Sequence, residues 1–176
     1  LEFRRVLFRS LLFFSANDNN YGLELWKSDG TSSGTSLVSD LYSGTYGSNP
    51  NNLTAVGSTL FFTAYGNGSY GVELCKSDGT SSGTNVIKDI FSGTTSSNPM
   101  YLTNLNGTLF FTAYGGTNYG YELWKSDGTS SGTLMVRDIY SGTYGSTPTY
   151  LTNVNNVLYF AAYGAGMYGR ELWKTD

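Results

Sequence analysis

The 176-residue chain contains no histidine. That removes Ser-His-Asp and Cys-His catalysis and every His-ligated metal site. Its one cysteine, Cys75, excludes an internal disulfide and a thiolate zinc site, and decides nothing about secretion. Charged residues are only 13% of the chain, and the formal net charge is −3 with no basic run inside the repeated part. A nucleic-acid partner would want a basic stripe, so none is expected. No apolar run reaches transmembrane length, so membrane insertion is not expected either. A complete signal peptide is also missing. Proline occurs three times, as Pro50, Pro99 and Pro148, 49 residues apart.

What is present is glycine (23 residues), aromatics (16%) and many Ser, Thr and Asn. These suit short strands and turns better than helices. The stretch E-L-W-K-S-D-G-T at Glu24–Thr31 returns at Glu73–Thr80 with Cys75 in the Trp place, at Glu122–Thr129, and in part at Glu171–Asp176. Trp26, Cys75, Trp124 and Trp173 are 49 residues apart each time. A fixed period of this length marks a tandem array of one supersecondary unit.

Each full unit holds four strand candidates. In the third they are Tyr101–Asn106, Thr108–Tyr114, Tyr121–Ser126 and Leu134–Tyr140. Asn106-Gly107 is a hairpin turn signal, and Asp127-Gly128 opens the turn D-G-T-S-S-G-T. Along Thr108–Tyr114 both alternating faces carry apolar groups, as a sheet covered on both sides requires. The expected fold is therefore all-β: tandem four-stranded antiparallel units of 49 residues forming part of a β-propeller. A β-trefoil is the runner-up, and a solenoid the third option. The units expected are a partial one at 11–49, full ones at 50–98 and 99–147, and a partial one at 148–176, with three, four, four and three strands.

Residues 1–10, L-E-F-R-R-V-L-F-R-S, fit no column of this repeat and carry three of the ten basic residues. They match the translation of a widely used short-read library adapter. The expectation is an artefact joined to an environmental gene fragment cut at both ends. A native basic strand or a damaged targeting segment is the alternative. Without the decapeptide the charge becomes −5.

With E-L-W-K-S-D-G-T followed by G-T and by Val38–Leu41, Ile87–Ile90 or Val136–Ile139, residues 11–176 resemble the bacterial ELWxxDGT-repeat family. The order of elements is also similar to kelch blades. The resemblance implies large, exported or surface-associated bacterial proteins with many tandem copies. It supplies no established activity and no catalytic residue. Cys75 departs from its pattern at the Trp column.

Eleven of the thirteen acidic residues stand in three repeated columns: Glu24, Glu73, Glu122 and Glu171; Asp29, Asp78, Asp127 and Asp176; Asp40, Asp89 and Asp138. An enzyme site breaks symmetry, whereas these columns do not, so no catalytic residue is assigned. The Glu column is read as partly buried and accepting backbone or Lys hydrogen bonds between units. Asp29, Asp78 and Asp127 are read as turn residues, with Ca²⁺ ligation as the weaker alternative and no other cofactor. Trp26, Trp124 and Trp173 are read as packing between units, with an exposed sugar-stacking ledge as the alternative. Cys75 is read as an inert small hydrophobe. The Tyr-Gly loops, with Tyr21, Tyr70, Tyr119 and Tyr168, and the S-G-T-Y-G-S connectors are the expected contact surfaces. The sequons at Asn52, Asn67 and Asn106 are read as chance in a Ser/Thr-rich chain.

The functional expectation is a non-enzymatic extracellular scaffold for binding or adhesion, with a surface polysaccharide, a protein or the remaining blades of a longer chain as partners. A polysaccharide-acting propeller enzyme and a structural spacer are the other two readings.

Overall fold

Apolar and β-branched runs of four to seven residues, punctuated by Gly, Asn and Asp, become fifteen strands among the described residues. No helix occurs among the described residues, so none is long and apolar enough to cross a membrane. The computed structural model describes residues 5–166 and 169–175. Tyr168 and Asp176, both assigned to repeat columns above, lie outside the described residues.

The strands form four separate antiparallel sheets, each running in chain order. The first holds β1 (Arg5–Phe8), β2 (Leu11–Asn17), β3 (Leu23–Ser28) and β4 (Ser36–Ser39). The second holds β5 (Asn51–Val56), β6 (Thr59–Tyr65), β7 (Val72–Ser77) and β8 (Asn85–Lys88). The third holds β9 (Met100–Leu105), β10 (Thr108–Tyr114), β11 (Tyr121–Ser126) and β12 (Leu134–Arg137). The fourth holds β13 (Thr149–Val154), β14 (Val157–Tyr163) and β15 (Arg170–Thr175). The first strands β1, β5, β9 and β13 approach each other most from sheet to sheet, with β2, β6 and β10 also reaching the next sheet's first strand. Among the described residues no strand of one unit forms a ladder with a strand of another. The shared barrel of a trefoil needs such ladders.

The cores lie between sheets. Val56, Phe61, Leu74 and Ile87 of the second sheet meet Leu109, Phe111, Ala113 and Trp124 of the third. The same columns meet between the first and second sheets and between the third and fourth. The Phe-Phe pair of each β2-type strand explains this arrangement. Adjacent residues point to opposite faces, so Phe61 packs forward and Phe62 backward. A fully buried Phe contributes roughly 1.5–3 kcal/mol.

One expectation is corrected. The last strand of the third unit stops at Arg137, not Tyr140. The amides of Ile139 and Tyr140 turn away from the ladder and donate to the Glu122 carboxylate. Within residues 1–10, which match no column of the repeat in sequence, Arg5–Phe8 takes the place of a first strand, paired with Leu11–Phe14. Phe8 falls in the column of Val56 and Leu105 and is buried against Phe13, with ring centroids 5.5 Å apart. Arg9 and Ser10 make the turn at φ 50° and 61°, where Asn155 and Asn156 have 49° and 67°. An apolar R-V-L-F run is strand-forming, and the edge of β2 offers it an unpaired ladder.

Candidate functional site

The long connector that leaves each four-stranded sheet is tied back onto its third strand by one carboxylate. Glu24, Glu73 and Glu122, from β3, β7 and β11, are fully buried. Glu73 accepts the Ser97 amide at 2.8 Å, the Ser97 hydroxyl at 2.5 Å and the Ile90 amide at 3.1 Å. Glu122 accepts the Ser146 amide at 2.8 Å, the Ser146 hydroxyl at 2.5 Å and the amides of Ile139 and Tyr140 at 3.2 Å. Glu24 accepts the Ser48 amide at 2.7 Å, the Ser48 hydroxyl and the Tyr42 amide at 3.2 Å.

The donors are backbone and serine within the same unit's connector, so the expected lysine and inter-unit partners are corrected. Burial pushes all three carboxyls up, Glu73 to about 6, while the serine hydrogen bonds work against that rise. The nearby Asp89 charge adds to the rise at Glu73. Glu171 in β15 is exposed.

Lysine serves the contact between units by another route. Lys27 Nζ donates to the Gly79 carbonyl at 2.8 Å, and Lys76 Nζ to the Gly128 carbonyl at 2.7 Å. Each reaches from the E-L-W-K strand of one unit to the D-G turn of the next.

The Asp column builds that turn. Asp29 Oδ1 accepts the Thr31 amide at 2.9 Å and hydroxyl at 2.7 Å. Asp78 and Asp127 hold Thr80 and Thr129 at 2.8 and 2.7 Å in the same way. These bonds draw the three carboxyls below the usual range. No group of three or more acidic, Cys or His side chains able to hold a metal occurs among the described residues.

Trp124 packs on the second sheet, its Nε1 donating to the Ala113 carbonyl at 3.2 Å. Trp173 does the same with Ala162 at 3.2 Å and packs against the third sheet. Trp26 is half-buried and its Nε1 is unpartnered. Cys75 is fully buried, and burial pushes its thiol up. The indole's absence in the second unit is met by Tyr70 and Val86, which close on Gly66. A Cβ there would lie 2.8 and 2.7 Å from them, whereas at Gly115 it would meet Trp124 at 3.1 Å.

The Tyr-Gly loops and the connectors form one layer. A Cβ on Gly120, at φ 63°, would lie 2.2 Å from the Gly145 amide nitrogen, and one on Gly71 2.5 Å from that of Ser96. Only glycine permits this approach. Tyr21, Tyr70 and Tyr119 are exposed in that layer. Tyr70 lines a cleft of about 450 Å³ with Asn67, Asn85, Val86 and Lys88. Tyr46 and Tyr144 of the connectors stand 83% and 84% exposed. Tyr42, Tyr46 and Tyr65 line a smaller cleft of about 200 Å³.

Sequence reading missed the serine that holds each glutamate, although Ser48, Ser97 and Ser146 recur at the repeat period just before Asn or Thr and Pro. Scanned against protein-family models the chain matches none, and a search of curated proteins finds no match.

Proposed function

We propose that the chain is a non-enzymatic repeat scaffold whose loop layer binds or adheres to a glycan or protein ligand at a bacterial cell surface. The surface location rests on the resemblance carried by the E-L-W-K-S-D-G-T columns. The observation that carries the binding reading is the division of labour between side chains. The repeated carboxylates of Glu24, Glu73 and Glu122 are enclosed and spent on holding connectors. The tyrosines of the loops and connectors stand in solvent. Tyrosine among Ser, Asn and Gly gives rigid, amphipathic contact area at low entropy cost.

The finer fold follows the same reading: the sheets are blades of a β-propeller with β1, β5, β9 and β13 toward the axis. Support comes from the chain-ordered sheets, from apolar columns packed on both faces, and from the mutual approach of the first strands.

The test is affinity electrophoresis of the chain through gels containing neutral and acidic polysaccharides, beside a pull-down from surface-protein extracts. Retardation by at least one class, lost in a Tyr21, Tyr70, Tyr119 triple alanine variant that still folds, is expected. Free migration through every gel, with nothing captured, sinks the reading.

A further inference from the structure

Tyr101 in β9 and Tyr150 in β13 stand one repeat apart on adjacent first strands. Both adopt left-handed backbone, at φ 56° and 57°. A bulky residue there is an outlier. The second unit puts Asn52 in this column, at φ 53°, and Asn tolerates that conformation. Register slips at the same place in all three units, between Asn51 and Thr54, Phe110 and Thr112, and Thr149 and Thr152. Such a bulge re-aims a side chain.

The outcome is two rings open to solvent, 41% and 72% exposed, with centroids 6.4 Å apart and planes tilted by 46°. The strands beneath are pinned. Thr103 Oγ1 lies within reach of the Tyr101 carbonyl at 2.9 Å and of the Leu151 carbonyl at 3.2 Å. Asn153 Nδ2 donates to the Asn104 carbonyl at 3.2 Å, and Thr152 Oγ1 to the Tyr150 carbonyl at 2.8 Å.

Tyr150 stands mostly in solvent and Tyr101 two-fifths so. Packing alone does not ask for tyrosine there, and backbone geometry opposes it. Strained outliers that persist in this way cluster where a ligand is held. We propose that Tyr101 and Tyr150 form a stacking site for the pyranose rings of a neutral polysaccharide, an assignment that rests on the binding reading above. An open pair of rings offers π-faces to the C–H face of a sugar. The residues flanking the rings along the strands, Thr103, Asn104, Thr152 and Asn153, carry no charge, and although each already bonds a backbone group, the threonine oxygens keep lone pairs for sugar hydroxyl groups. A chain with pI ≈ 4.8 disfavours an acidic polysaccharide or a nucleic acid on the same rings.

The experiment compares the whole chain with two double variants, Tyr101→Asn/Tyr150→Asn and the control Leu134→Asn/Leu172→Asn, exposed residues of β12 and β15. Probes are hydroxyethylcellulose, galactomannan and oligo(dT), and melting is recorded for each protein. Expected is retardation of the parent by at least one polysaccharide, a dissociation constant raised at least tenfold in the first variant, and an unchanged one in the control. The first variant should also melt higher, by about 2–4 °C per substitution, because Asn relieves the strain. A first variant that melts lower makes the tyrosines packing residues and overturns the site whatever the ligand. Undiminished retardation of that variant overturns the site and leaves the binding reading standing. Binding to oligo(dT) alone overturns the sugar assignment. A parent that no probe retards overturns the site and leaves the binding reading to the acidic gels and the pull-down.

Discussion

Ser97 holds Glu73 with both of its donors, the hydroxyl at 2.5 Å and the amide at 2.8 Å, in a place closed to solvent. The pair joins the third strand of a sheet to the end of the connector that starts the next one. Ser48 with Glu24 and Ser146 with Glu122 repeat it. Removing the hydroxyl leaves a buried carboxylate with fewer donors, which costs more than the bond itself contributes. Ser97→Ala is expected to lower stability by about 2 kcal/mol, read as a shift in the urea midpoint at constant slope. A shift under a quarter of that would mean that water replaces the hydroxyl.

The same carboxylate makes stability depend on pH. Burial raises Glu73 from 4.5 to about 6 in the folded chain. The folded form therefore holds its proton more tightly than the unfolded one. The resulting stability is complete below the unfolded value and lost as pH rises through the folded one. The loss at pH 7 is about 2 kcal/mol, and Glu24 and Glu122 shift in the same direction. Asp29, Asp78 and Asp127 oppose it at the acid end, since their carboxyls are lowered and their contribution fades as pH falls. Urea midpoints should be higher at pH 5 than at pH 7, and Glu73→Gln should flatten part of that slope. An equal midpoint for the parent at both pH values counts against a raised carboxyl.

Lys27 and Lys76 each cap a glycine carbonyl of the following unit. Lys125 holds the same column in the third unit and makes no such bond among the described residues. Replacing Lys76 with Met keeps the stem packed and leaves the Gly128 carbonyl without its charged donor. The expected cost is about 1.5 kcal/mol, with Lys125→Met near neutral as the internal control. Equal effects of the two substitutions would show that the staple contributes nothing particular.

The period of 49 residues and the Asn-Gly and Asp-Gly turns make the sheets legible in the sequence, because a repeated local pattern dictates a repeated local structure. The two-faced Phe-Phe strands likewise announce packing on both sides. Three things are hidden there. The serine partner of each glutamate lies 24 residues downstream, where no local rule points. The bulge that opens Tyr101 and Tyr150 to solvent depends on a left-handed residue that propensity assigns to Asn or Gly. The strand of residues 5–8 is invisible to a search for repeat columns, since edge pairing asks only for a strand-forming run and not for the repeat's own letters.

Trp124 and Cys75 occupy one column with different consequences. Trp124 fills the space between the second and third sheets, and Trp124→Ala is expected to cost about 3–5 kcal/mol. Cys75 sits where Tyr70 and Val86 have already closed inward. Restoring the repeat residue with Cys75→Trp should therefore overpack the site and cost about 1–3 kcal/mol. The buried, raised thiol should react with a disulfide reagent only at the rate of unfolding. A gain in stability for Cys75→Trp, or prompt labelling of the native thiol, would contradict the closed site.

Gly120 and Gly142 separate two reasons for keeping glycine. Both have left-handed backbone, at φ 63° and 114°. A Cβ on Gly142 meets nothing within 4 Å, whereas one on Gly120 lies 2.2 Å from the Gly145 amide nitrogen. Gly142→Ala thus carries backbone strain alone, about 1–2 kcal/mol. Gly120→Ala adds a collision of backbone with side chain that can be relieved only by lifting the connector from the Tyr-Gly loop. That movement loosens Ser146 from Glu122, so the Ser146 amide should lose hydrogen-exchange protection in Gly120→Ala and keep it in Gly142→Ala. Equal protection in both variants would mean that the loop and the connector move as one body, and that the carboxylate does not depend on the glycine contact to stay enclosed.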